Sequence, residues 1–156
     1  MAPALPNDFK EFLKLLNSHR VKYLVIGGHA VGFYGYPRFT GDIDVWISTA
    51  PENVRKVIVA LQEFGFDGAN LRPELFAKPE HLVRMGNSPV RIEVLTGISG
   101  VKFEECFAER VSGIIEGIHV NFISLAHLKA NKKASGRYKD LDDLENLSKK
   151  RRGKRN

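Results

Sequence analysis

Cysteine is almost absent from this 156-residue chain. Cys106 stands alone, which excludes an intramolecular disulfide and a zinc site built on thiolates. The five histidines, His19, His29, His81, His119 and His127, offer no ligand pair at helical spacing. No apolar run is long enough to span a bilayer, so no membrane association is expected. The opening segment MAPALPNDFKEF lacks the basic and then apolar regions of a secretory signal, and a cytoplasmic location is expected. There is no internal repeat, and the only biased segment is a basic tail.

What is present fits one compact domain: 43% hydrophobic and 27% charged residues, with a net charge of +6. Lys149, Lys150, Arg151, Arg152, Lys154 and Arg155 account for the whole excess, because the other 18 basic residues match the 18 acidic ones. Residues 1–148 are therefore read as a single domain and 149–156 as a basic, disordered tail. Such a tail can attract polyanions such as RNA, or simply keep the protein solvated.

Asn7 or Asp8 is placed to cap a first helix with an apolar stripe of Phe9, Phe12, Leu13, Leu15 and Leu16. VKYLVIGG is a β-branched and aromatic run ending at two glycines, and predicts a buried strand. HAVGFYGY predicts a short helix stopping near Gly35, before Pro37. DIDVWIS predicts a second strand, and Pro51 suits the first turn of an amphipathic helix through ENVRKVIVALQEFGF. LRPELFAKPEHLVRMGNSP predicts a loop and a strand around His81–Met85, followed by the strand VRIEVLTG. FEECFAERV predicts a short helix running into a strand, and VSGIIEGIHVNFIS a hairpin turning at Glu116–Gly117. Ser124 is placed to cap a helix through LAHLKANKKAS, and the last helix, KDLDDLENLSKK, aligns Leu141, Leu144 and Leu147. The sum is an α/β (α+β) chain: a mixed sheet with helices before, within and after it.

Three features carry chemistry. Asp42 and Asp44 lie two apart on a predicted strand and share one face, while Ile43 and Val45 turn to the core. Neighbouring carboxylates repel each other and resist desolvation unless something positive lies between them. A divalent cation meets that need, and magnesium favours oxygen ligands; the plain alternative is a surface Asp-x-Asp on an edge strand. Gly27–Gly28 follow a strand and open a helix, where the backbone can come close to a phosphate. A tight turn is the alternative there. The segment is neither a P-loop, lacking Gly-Lys-Ser/Thr, nor a dinucleotide fingerprint, since its glycine spacing differs. Glu93 sits between Ile92 and Val94 on a predicted strand. If that strand pairs beside DIDVWI, three carboxylates face a glycine-lined helix start and make a two-metal phosphoryl-transfer site. Otherwise Glu93 is an outward-facing surface residue.

Together, VIGGHAVGFYG, RFTGDIDVWI and RIEVL resemble the DNA polymerase beta-like nucleotidyltransferase superfamily. The resemblance is closest to its minimal bacterial branch, which includes toxins of abortive-infection and toxin–antitoxin systems. HLKANKKASGRYKDLDDLENL is similar to the Lys-rich helix and following segment of that branch, so the resemblance spans residues 20–147. One departure is Gly28, where many catalytic members carry serine; binding there is left to backbone N–H groups. The resemblance implies a nucleotidyltransferase-type sheet flanked by helices, with further helices at the C-terminus. It implies transfer of a nucleoside monophosphate from a nucleoside triphosphate, ATP among the candidates, to an acceptor hydroxyl on RNA or tRNA, on a protein or on a small molecule. Asp42, Asp44 and Glu93 would bind Mg2+ or Mn2+, and Glu93 would accept the proton of the attacking hydroxyl. Gly27 and Gly28 would approach the phosphates. His29, Arg38, Thr40 and Lys129 are further candidates for nucleotide contact, each with a purely structural role as the alternative. Arg137, Lys139 and Asp140 are assigned to bracing the last helix. An antitoxin or helical partner subunit is also implied. Two other readings stand beside the enzyme: a non-catalytic nucleotide- or RNA-binding module of the same fold, and a structural protein whose acids are surface charge.

Overall fold

The computed structural model of the chain describes residues 6–36, 41–66, 71–87 and 90–153. Helix α1 (Asn7–Ser18) buries Phe9, Phe12, Leu13 and Leu16, the spacing of a single helical face. Neither Asn7 nor Asp8 caps it. Pro6 holds the cap position without a side-chain bond, which puts Asp8 inside the first turn, where a negative charge meets the helix dipole favourably. Strand β1 (Tyr23–Ile26) is buried throughout and leads without a loop into α2 (Gly27–Phe33). Strand β2 (Asp42–Ile47) and α3 (Pro51–Phe64), with proline in its first turn, follow as the sequence predicts.

A loop was expected next, but the chain forms a further short helix, α4 (Pro73–Ala77), anchored by the fully buried Phe76. Five residues are too few for helical periodicity to register in a sequence. Then come β3 (Leu82–Asn87), β4 (Val90–Leu95), α5 (Phe103–Ala108), β5 (Val111–Ile115) and β6 (Ile118–Phe122). The β5–β6 turn is the expected pair, Glu116 and Gly117, both at positive φ (50° and 84°) as a two-residue hairpin turn requires. Ser124 caps α6 (Leu125–Ser135), accepting the His127 backbone N–H at 3.2 Å. Gly136, in the left-handed region, ends α6 before α7 (Tyr138–Gly153) begins.

The six strands form one mixed sheet in the order β3-β4-β2-β1-β6-β5. The pairs β1/β6 and β2/β4 are parallel, and the other three are antiparallel. Trp46, Tyr23, Phe9, Phe12, Phe76 and Phe122 are the largest side chains of the core. Tyr23 is buried with its hydroxyl donating to Asn17 Oδ1 at 2.8 Å, and burial pushes its pKa up to about 12. Among the described residues no helix is long and apolar enough to cross a membrane.

The last helix departs from its expected orientation. Leu141 is exposed and Leu144 half-buried, while Asp140, Asp143 and Leu147 are buried. The inward face is rotated away from the leucine stripe because α6 presents a cation, Lys132, to two of these acids. The helix also continues past Ser148, where the basic tail was expected to begin, to Gly153. Leu147 is the last buried apolar anchor among the residues whose burial is described. A chain ending at Ser148 is therefore expected to melt within about 2 °C of the full chain, a shift of less than roughly 1 kcal/mol. Thermal denaturation of the two forms checks this, and a drop of more than about 5 °C would mean that the tail packs.

Candidate active site

Register brings the acids together. Parallel pairing of β2 with β4 sets Asp42 opposite Arg91 and Asp44 opposite Glu93, and antiparallel pairing of β3 with β4 sets Arg84 opposite Glu93. Directly opposed residues share a face. One row therefore runs Asp44–Glu93–Arg84 and the next Asp42–Arg91, while Ile43, Val45, Ile92 and Val94 fill the core on the other face. Glu93 lies on the face of the two aspartates, the arrangement expected if its strand pairs beside DIDVWI, which it does.

The carboxylates have different partners. Asp42 accepts a two-pronged bond from Arg91, Nε to Oδ1 at 2.9 Å and Nη2 to Oδ2 at 3.2 Å. Glu93 Oε2 accepts from Arg84 Nε at 2.7 Å. Asp44 has no such cation beside it, and its Oδ1 is buried without a hydrogen-bond partner. Burial, then a hydrogen bond with Glu93, then the charges of Glu93 and Asp42 push the Asp44 carboxyl up to about 8, with Lys132 opposing.

Asp44 and Glu93 open into a cleft of about 580 Å³ at the C-terminal end of β1. Its floor includes Ile26, Gly27 and Gly28, and its other wall comes from α6 and the start of α7: Lys132, Ser135, Arg137, Lys139 and Asp140. Gly27 has φ +69°, and a Cβ there would overlap Asp44 Oδ2, so only glycine lets the backbone pass this close to the acid. Gly27→Ala is expected to lose about 1–2 kcal/mol from the left-handed backbone alone. Displacement of Asp44 adds to that loss, and the melting temperature should fall by about 4–8 °C. A variant melting with the parent would show that this strand–helix junction is slack.

The buried Lys132 is the cation of the second wall. Its Nζ lies 3.1 Å from Asp140 Oδ1 and 3.1 Å from Asp143 Oδ2. Asp140 also accepts from Ser135 Oγ at 2.6 Å and Arg137 Nε at 2.7 Å. Burial alone would raise the Asp140 carboxyl; the bonds from Ser135, Arg137 and Lys132, with the charge of Lys132, outweigh it and bring it down to about 2.

The other sequence candidates divide. Asp42 shares the acidic face but does not line the cleft, being turned to Arg91. Lys129 is half-buried on α6 outside the cleft lining, one turn before Lys132, which does line the cleft. His29 does not line the cleft either. It packs edge-on to Phe9 with ring centroids 5.6 Å apart and hydrogen-bonds to the backbone of Asp42, and burial pulls its pKa down. These contacts tie the start of β2 to α1. Arg38 and Thr40 lie outside the described residues. Arg137 and Asp140 brace α7 as expected, and they and Lys139 also line the cleft. Sequence reading missed Arg84, Arg91 and Lys132. Arg91 was legible in principle, because Arg91 and Glu93 are two apart on one strand and so share a face, whereas Arg84 reaches Glu93 only through the β3/β4 register.

Among the described residues no three His, Cys, Asp or Glu side chains are grouped closely enough, as oriented, to hold a metal ion. The donor chemistry nonetheless fits a hard dication. Asp44 offers an oxygen without a partner in a buried site, and the repulsion that raises its pKa is what a cation beside it would relieve.

A mixed sheet carrying a glycine junction at the end of one strand, an Asp-x-Asp on its neighbour and a glutamate opposite defines a nucleotidyltransferase fold. The chain belongs to the family described as nucleotidyl transferases of unknown function (DUF2204), whose profile matches residues 6–155. Among curated proteins, none matches the sequence at a significant level. Solved structures resemble it in fold. A putative nucleotidyltransferase from Thermotoga maritima superposes with a TM-score of 0.63 at 16% identity, covering 95% of this chain and 94% of the other. The lincosamide antibiotic adenylyltransferase LnuA, in a lincomycin-bound structure, gives 0.59 at 15% identity, with 93% and 97% covered. An antigenic nucleotidyltransferase-like protein from Paracoccidioides brasiliensis gives 0.55 at 17% identity, with 94% and 78% covered.

Proposed function

We propose that the chain transfers a nucleoside monophosphate from a nucleoside triphosphate to an acceptor hydroxyl, with pyrophosphate leaving. The observation that carries this reading is the unpartnered, buried Oδ1 of Asp44 beside Glu93, at the mouth of a cleft with Lys132, Arg137 and Lys139 on its other wall. A magnesium or manganese ion held by Asp44 and Glu93, with Asp42 next to them, would supply the charge that triphosphate oxygens require. Gly27 and Gly28 let the backbone approach the phosphates, because no side chain intervenes. The cationic wall draws the outer phosphates and the leaving pyrophosphate. Glu93, oriented by Arg84, is the group placed to accept the proton of the attacking hydroxyl. RNA, a tRNA end, a protein hydroxyl or a small molecule would all serve as acceptor chemically, and a toxin role in a toxin–antitoxin pair fits the first three.

A second reading draws on Arg91 and Arg84, which already neutralise Asp42 and Glu93 as a non-catalytic binding module would require. Turnover separates the two. The protein is incubated with each labelled nucleoside triphosphate, magnesium, and total RNA, protein or small-molecule extract. Label transferred by the parent and lost in Asp44→Asn supports the enzyme, whereas nucleotide binding without transfer to any pool supports the module.

A further inference from the structure

We propose that a second groove, at the opposite end of β1 from the cleft, binds single-stranded nucleic acid through Arg20, Lys22 and Arg110. The groove has a volume of about 390 Å³ and lies between the end of α1, the end of α5 and the β5–β6 pair. Lys22 and Ile26 stand at the two ends of β1, some 13 Å apart at strand rise, so the two sites are separate.

Charge is the first observation. Arg84, Arg91, Lys132 and Arg137 each face a carboxylate. By contrast Arg20, Lys22 and Arg110 have no acidic partner among the described residues, and no acidic residue lines the groove they share with His119. Cations gathered without counter-charge repel one another, and an anionic ligand removes that repulsion. The carbonyls ending α1 are already taken by the N–H groups of His19, Arg20 and Val21, so side chains set the field here. Arg20 holds φ 57°, the left-handed region that disfavours any residue with a Cβ. Glycine would close this helix more cheaply, yet arginine stands here and its side chain lines the groove.

The second observation is planar stacking. Phe107 packs one ring face on Phe103, with centroids 5.5 Å apart and planes 17° from parallel. The Arg110 guanidinium lies 4.1 Å from the Phe107 centroid and donates to the Phe107 carbonyl at 2.9 Å, which fixes its plane. Lys22 Nζ stands 5.8 Å from the same ring. Arg110 is exposed, so its outer face is open to a flat ring. Unpaired cations match phosphates, and a fixed guanidinium stacked on an aromatic matches a base. An acidic peptide would use the charge alone and leave the open guanidinium face without a flat partner.

Fluorescence anisotropy of the full chain with a labelled single-stranded RNA of about 12 nucleotides, a length within the usual site sizes, tests the proposal across a salt series. It needs no nucleotide transfer, so its outcome is independent of the activity proposed above. Lys22→Ala with Arg110→Ala should weaken binding at least tenfold and reduce the log–log salt slope by about two. Both side chains are exposed, so the fold should be retained. Arg110→Lys keeps the charge and loses the plane, and should keep the slope while weakening binding about three- to tenfold. Truncation after Ser148 should leave the difference between parent and groove variants in place. The proposal is overturned if the groove variants bind as the parent does, or if truncation alone removes all binding. It is equally overturned if Arg110→Lys has no effect and inorganic polyphosphate competes as well as RNA of equal charge, which would leave a plain anion patch.

Discussion

Asp44→Asn is expected to lower transfer by roughly a thousandfold or more, since the ligand charge that would hold a catalytic dication disappears. The same variant should melt higher than the parent in metal-free buffer. Burial, with Glu93 next, raises the Asp44 carboxyl from 3.8 to about 8. An acid bound more tightly to its proton in the folded state makes the fold lose stability as pH rises from about 4 to about 8, and the full penalty applies above that window. Asparagine removes the penalty, so its advantage should be absent near pH 4 and largest at pH 8. Because the charge is shared with Glu93 and Asp42, about 1–3 kcal/mol is expected, half or less of the roughly 6 kcal/mol that an isolated acid raised from 3.8 to about 8 would give. That corresponds to a melting-temperature gain of about 3–8 °C. Paired activity and pH-resolved melting measurements check it. A variant that transfers at the parent rate, or melts lower at pH 8, contradicts the assignment of Asp44.

Lys132→Ala should be the most damaging single change to stability. It removes the cation between Asp140 and Asp143, whose side chains are 3% and 1% exposed against 7% for Lys132. Breaking a buried ion pair from one side leaves uncompensated charge and costs about 3–5 kcal/mol. Ser135 and Arg137 still serve Asp140, which limits the loss on that side. A melting-temperature decrease of about 8–15 °C is expected by differential scanning calorimetry. Combining Lys132→Met with Asp143→Leu should recover part of it, because the buried pair is then replaced as a whole by apolar side chains. A loss below about 1 kcal/mol in the alanine variant would mean that water reaches these acids.

Sequence patterning revealed the sheet-side half of the site and obscured the helical half, for one physical reason. Strand positions alternate rigidly, so Asp42 and Asp44 could be assigned a common face before any pairing was known, and Glu93 joined them on the condition that its strand pairs beside theirs. Helix α7 carries acids and leucines at overlapping helical spacings, and the usual preference for burying leucine points to Leu141, Leu144 and Leu147. The buried set is instead Asp140, Asp143 and Leu147, chosen by Lys132 on another helix. A partner on another helix, beyond the break at Gly136, leaves no periodic trace within α7. Lys129 illustrates the same limit: the lysine-rich helix was recognisable, but which lysine faces inward depends on the rotation of α6 against α7. The hairpin at Glu116–Gly117 was legible because its turn chemistry is local.

The cleft is assembled from both halves of the chain, with its acids on β2 and β4 and its cations on α6 and α7. During synthesis the strands emerge first and the helices last. A nascent chain exposes Asp44 and Glu93 while the residues that would grip a triphosphate are still to be made. On the reading proposed above, a product cut short before Lys132 keeps the acids but lacks the cations that would hold the phosphates.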